Sequence, residues 1–219
     1  MMKKLSKMTG GLLLCFALAC SSSWADEPFD SDLTAIQHSW AKVRYSIVDE
    51  KAQEAAFKPM LDEAHQFSEK YHNQAEALIW EGIINASYAK AKGGIGALKF
   101  AEKARDLLLA AEKMNPEALQ GAAYTSLGSL FYKVPGWPIG FGDKKKALAY
   151  LEKALKINPN GIDSNFFYAD YLNERGDYAK AVEYYKKSLA APPRPGREDA
   201  DAGRRAEAEA GLKIAQSKL

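Results

Sequence analysis

The sequence predicts an all-α fold: a short right-handed solenoid of helix pairs, ended by a C-terminal capping helix. Three observations predict it. Apolar residues recur three and four apart over most of the chain beyond residue 30, the spacing of one helical face. Runs alternating apolar and polar between turn residues, the mark of strands, are missing, while alanine is abundant. Small, aromatic and proline residues return at matching offsets in the C-terminal half, so a structural unit is repeated.

The first element is a leader. Lys3, Lys4 and Lys7 precede the apolar run Gly11–Cys20, which is far shorter than the ~20 residues a membrane-spanning helix needs. Ser23 and Ala25 provide a small-x-small cleavage site, making Asp26 the expected mature N-terminus. This implies a periplasmic or secreted protein. Cys20 follows Ala17, Leu18 and Ala19, which resembles a bacterial lipoprotein box except that Ala17 stands where Leu is usual. A lipid anchor at Cys20 is therefore the alternative to a free form; the Ser23/Ala25 site favours the free form.

Without the leader, 27 basic residues face 28 acidic ones, a net charge of about −1. No basic patch remains to suggest a nucleic-acid partner. Cys15 and Cys20 both lie in the leader, so the processed chain has no disulfide and no thiol chemistry. It must hold together by packing alone, which a chain of this length can do in one domain.

Residues 26–193 form the helical domain. Asp32–Tyr71 reads as helix, with Leu33, Ile36, Trp40, Val43 and Ile47 on one stripe; Pro59 is expected to start a fresh segment rather than sit inside one. A helix near Ala75–Ala91 follows, then an enlarged turn at Gly93–Gly96 (GGIG), then Ala104, Leu108, Ala111 and Pro116 on a second helix. Tyr124, Leu127, Gly128 and Phe131 mark another first helix, answered by Ala147, Leu151, Ala154, Leu155 and Pro159. In the last unit Gly176 permits the turn and Ala181 allows close approach. Tyr185 and Leu189 face inward, and Pro193 stops the helix.

These residues resemble the tetratricopeptide repeat, a pair of antiparallel helices of about 34 residues. The resemblance is clearest over 121–159 and 162–193 and weaker over 75–116. It implies the solenoid and a concave, partner-binding groove lined by the first helix of each pair. Between Gly128 and Ala147 the chain carries about seven residues more than the repeat needs. Residues 194–219 complete the chain, the stiff linker APPRPGR (Ala191–Arg197) leading into an Ala/Glu/Lys-rich capping helix.

The inserted stretch KVPGWPIGFGDKKKA (Lys133–Ala147) has two readings. As a spacer, it lets Asp143 cap the next helix while Trp137 plugs a gap between pairs. As a binding loop, it presents Trp137, Ile139 and Phe141 from a compact path set by Gly136, Gly140 and Gly142 and stiffened by Pro135 and Pro138. The stiffening favours binding. Register adds Asp163, Phe166, Asp170 and Asn173, with Ala122, Thr125, Ser129 and Tyr132, on the inner face. The candidate site is thus Trp137, Ile139, Phe141, Tyr132, Phe166, Asp170 and Asn173. The Lys/Asn/Arg set with which some relatives clamp a C-terminal carboxylate is missing.

Catalytic patterns are absent, so no enzyme and no cofactor are expected. HExxH and GxSxG do not occur, and GGIG follows no strand and precedes no Gly-Lys-Ser/Thr. His65 and His72, seven apart near Glu63 and Glu69, read as surface residues rather than metal ligands. Glu198 and Asp199 read as solvated, and Lys144–Lys153 as an exposed helix face.

The leader, degenerate repeats and enlarged turns together resemble bacterial periplasmic tetratricopeptide proteins. They are similar to the T-component type associated with tripartite ATP-independent periplasmic transporters. That resemblance implies a protein partner or a small hydrophobic or organic-acid ligand. The reading is a non-catalytic scaffold binding a protein through the groove and the 133–143 loop; a small-molecule carrier, enclosing its ligand beneath that loop, is the alternative.

Overall fold

A computed structural model describes residues 27–219; the leader, with Cys15, Cys20 and the cleavage site, lies outside the described residues. Nine α-helices follow one another among those residues: α1 (Glu27–Ser46), α2 (Glu50–Lys70), α3 (Ala75–Lys92), α4 (Leu98–Met114), α5 (Ala118–Lys133), α6 (Lys144–Ile157), α7 (Ile162–Glu174), α8 (Tyr178–Ala190) and α9 (Glu198–Gln216). They pack pairwise, α3 on α4, α5 on α6 and α7 on α8, as the repeat pattern predicts.

The close approaches within pairs need glycine. A Cβ at Gly128 would stand 2.6 Å from Leu151 Cγ and 3.3 Å from the Leu151 backbone nitrogen. At Gly82 it would stand 2.9 Å from Leu108 Cγ. The apolar stripes then bury Leu108, Leu127, Leu151, Ala181 and Tyr185 almost completely, each large side chain contributing about 1.5–3 kcal/mol. Helix starts are closed by carboxylates: Asp49 accepts from the Ala52 N–H at 2.8 Å, and Asp143 from those of Lys145 and Lys146 at 2.9 and 3.1 Å.

The stretch Asp32–Tyr71 departs from expectation. The break in Asp32–Tyr71 falls at residues 47–49, and Pro59 lies inside α2. Two side chains place that break. The Gln53 amide donates to the carbonyls of Val43, Arg44 and Ile47, ending α1, while Asp49 starts α2. Pro59 is tolerated because it is on the exposed face, as is Ala55, whose carbonyl loses its partner to water's advantage. On the other face Phe57, Met60, Ala64 and Phe67 hold the helix in the core across the gap.

The inner face is not open along its length. Trp40 on α1 donates its indole N–H to Ser87 Oγ of α3 at 2.8 Å and packs edge-on against Trp80, with ring centroids 5.7 Å apart. The next turn of α1 meets α9: Tyr45 lies against Gly203, and Arg44 pairs with Glu207. The capping helix α9 packs on α7 and α8 as expected, but it also closes on α1. Periodicity had placed α1 on the solenoid without saying which face of it α1 covers.

At the start of α5, Leu119, Gln120 and Gly121 take left-handed backbone conformations. Gln120 is held there by the Asn158 amide, which donates to its Oε1 at 2.7 Å.

Candidate functional site

The 133–143 loop is built on its own backbone. Ile139 and Gly140 donate their N–H groups to the Gly136 carbonyl at 3.1 and 3.2 Å, Gly142 donates to Pro135 at 2.9 Å, and Asp143 donates to Phe131 at 2.8 Å. Those bonds draw two strands of the loop together. A Cβ at Gly140 would stand 2.7 Å from the Pro135 carbonyl oxygen, so no side chain fits there. The sequence asked for glycines here, and the crossing explains why.

The aromatic residues divide into one plug and one probe. Phe141 turns inward, edge-on to Phe131 at 5.7 Å and beneath the Arg105 guanidinium at 4.6 Å. Phe131 stacks in turn on Tyr150 at 5.5 Å. Trp137 instead points out, 90% exposed, and Ile139 beside it is 65% exposed. The gap between pairs is therefore filled by Phe141, not by Trp137.

The other four candidates lie deeper. Tyr132 is buried and donates its hydroxyl to Asp170 at 2.6 Å. Burial, then the Asp170 charge, pushes the Tyr132 hydroxyl well above its ordinary pKa, and both causes act in the same order on Tyr185. Lys133 also reaches Asp170, at 3.0 Å, and pairs with Glu174. Burial works against the Lys133 charge, but these carboxylates outweigh it and raise its pKa. Asn173 on the same face has a buried Oδ1 without a partner among the described residues.

Phe166 is buried under α9, with the Arg204 guanidinium 4.4 Å above its ring. Arg204 also bonds Asp163 at 2.7 Å, as does Arg194. Burial disfavours the Asp163 charge, yet the two guanidinium groups outweigh that and hold its carboxyl down at about 2. The structure thus brings Trp137 and Ile139 to the surface, gathers Tyr132, Asp170 and Asn173 at the nearby end of the inner face, and places Phe166 beneath α9.

Sequence reasoning passed over Ile95, which is 90% exposed in the GGIG turn. An isolated isoleucine among three glycines was the available signal. Two of the three histidines are paired: His65 Nδ1 lies 3.3 Å from Glu81 Oε1, and His38 bonds Asp199 at 2.9 Å, while His72 is exposed. Asp199 is exposed, as expected, and also bonds α1 through His38. Among the described residues no three His, Cys, Asp or Glu side chains gather as a metal site, and no helix is long and apolar enough to cross a membrane.

Comparison with known proteins bears on this geometry. The tetratricopeptide repeat model matches residues 139–160 and 162–195. That match opens inside the loop, takes in α6, and covers the whole α7–α8 pair. No curated protein matches the chain. Among solved structures it is similar to one described as the functional characterization of Pseudomonas aeruginosa pilF, at 19% identity and a TM-score of 0.34, covering 87% of this chain and 90% of that one.

Proposed function

We propose that this chain, whose residues 139–160 and 162–195 match the tetratricopeptide repeat, a unit that generally serves as a protein-interaction scaffold, is a non-catalytic periplasmic scaffold. It docks a protein partner with Trp137 and Ile139 as anchors, and the end of the inner face at Tyr132, Asp170 and Asn173 forms the adjoining wall. One observation carries the proposal: two large apolar side chains stand in solvent on a loop whose backbone is already ordered. An exposed tryptophan on a braced loop loses little conformational entropy on binding and has much apolar surface to bury.

The exposure of Trp137 and Ile139 favours docking over enclosure. Two cavities, of about 440 Å³ between α6 and α8 and about 290 Å³ between α1 and α2, are lined by no residue of the loop. A carrier would need its ligand space beneath that loop.

The test is capture from periplasmic extract with the full chain and its Trp137→Ala variant, read by mass spectrometry. A specific partner lost in the variant, at unchanged melting temperature, is the expected result. Equal capture by both chains would remove Trp137 from the site. A co-purifying small molecule in place of a protein would make this a carrier. N-terminal sequencing of the exported protein tests its compartment: Asp26 at the terminus is expected, and a blocked Cys20 would mean a lipid anchor.

A further inference from the structure

The two enlarged turns that stand apart in the sequence meet in space. A Cβ at Gly140 in the 133–143 loop would stand 3.3 Å from Leu98 Cδ1, at the first residue of α4 and just past the GGIG turn. Gly93 and Gly94 take φ of 62° and 64°, conformations costly for other residues, and so turn the chain sharply before Ile95. Ile95, Trp137 and Ile139 therefore stand exposed on neighbouring turns along one edge of the solenoid.

Cations flank these apolar side chains. Lys92 runs along the first turn, its Cε 3.2 Å from where a Gly96 Cβ would be. Lys99 lies over Phe100 at 4.8 Å, Arg105 over Phe141 at 4.6 Å and Lys146 over Phe131 at 5.5 Å. Lys144 and Lys145 are exposed and, like Lys99 and Lys146, form no ion pair among the described residues. The acids close by are mostly committed: Asp143 to the amides of Lys145 and Lys146, Asp106 to Arg105 and Glu54 to Lys92. Four lysines without an ion-pair partner among the described residues, Lys99, Lys144, Lys145 and Lys146, thus stand around the exposed Ile95, Trp137 and Ile139.

We infer that the edge formed by the GGIG turn and the 133–143 loop takes an acidic protein segment carrying apolar side chains, with Ile95 as a third anchor. This rests on the docking reading above and adds the partner's chemistry. The lysines draw in and orient acidic side chains, while Ile95, Trp137 and Ile139 bury against apolar ones.

The probe is a phage-displayed library of random peptides about twelve residues long, reaching ~40 Å when extended. It is selected on the full chain and then on Ile95→Ser, Trp137→Ala and Lys144→Glu/Lys145→Glu variants. Enriched peptides are expected to combine Asp and Glu with Trp, Phe or Leu and to bind more weakly at high salt. Each variant should cost about tenfold in affinity, at an unchanged melting temperature. Neutral or basic peptides, or no enrichment over the Ile95→Ser/Trp137→Ala double variant, would overturn the inference. Loss on Trp137→Ala without loss on Ile95→Ser would remove the GGIG turn from the edge and leave the loop reading standing. Binding to phosphatidylglycerol vesicles without peptide enrichment would make the occupant a membrane surface and overturn the inference as well.

Discussion

Tyr45 fills the space that a side chain at Gly203 would need. The two residues lie on α1 and α9, near opposite ends of the chain, and their contact joins the first helix to the last. Burial pushes the Tyr45 hydroxyl up to about 12, with Arg204, Glu207, Asp163 and Arg44 all close enough to act on it.

Gly203→Ala should therefore open this seam. Overpacking of this kind costs about 1–3 kcal/mol, to be read as a lower denaturant midpoint. The same variant should expose α1 to faster hydrogen exchange while α7 and α8 stay protected. Uniform loss of protection along the chain would show that α1 and α9 do not close locally.

Gly128→Ala tests the helix-pair register. The added methyl meets Leu151 Cγ at 2.6 Å, and the Leu151 backbone nitrogen at 3.3 Å limits how far α6 can retreat. A loss of about 1–3 kcal/mol is expected. Full tolerance would mean that α5 and α6 do not approach at this residue.

Within the loop, Phe141 and Trp137 should behave oppositely. Phe141→Ala removes a ring held between Phe131 and Arg105, and for a half-buried phenylalanine the expected cost is about 2–3 kcal/mol. Trp137→Ala removes an exposed ring, and its effect on stability should stay within about 0.5 kcal/mol. Equal losses in thermal denaturation would contradict the division into plug and probe.

Asp163 gives the fold an acid-sensitive joint. Its folded pKa, about 2, lies below the usual 3.8. A carboxyl lowered on folding adds stability above its unfolded pKa and loses it as pH falls through the folded value. The contribution should be on the order of 1–2 kcal/mol once solvent screening of this half-buried group is allowed for. It should be complete above pH ~4 and gone near pH 2. Asp163→Asn should lower the melting temperature at pH 7 and flatten its decline between pH 4 and 2. An unchanged decline would mean that other carboxylates carry the acid response.

Pro59→Ala should stabilise α2. It restores the N–H that can bond the Ala55 carbonyl, worth up to about 3 kcal/mol in a helix interior, against about 1 kcal/mol of added freedom in the unfolded chain. A gain of about 1–2 kcal/mol in urea unfolding is expected. A loss would show that the proline ring packs in a way its exposed position does not suggest.

Helix periodicity and repeat spacing made the pairs from α3 to α8 legible, because packing within each pair depends on residues near one another in sequence. Gly128 against Leu151 is such a contact. Pro59 misled because its local cost is real, and only the burial of Phe57, Met60, Ala64 and Phe67 outweighs it. Trp137 and Phe141 looked alike in sequence; which of the two turns inward depends on Arg105, brought from another helix pair.

By itself, then, the sequence determined an all-helical chain, its paired units and the position of the enlarged turns, since these follow from local backbone preference and short-range stripes. Tertiary structure alone decided that α1 closes onto α9, that Phe166 lies beneath Arg204 and that Ile95 stands beside the Trp137 loop. Those outcomes depend on contacts between residues far apart in the chain, whose energies no single helical stripe contains.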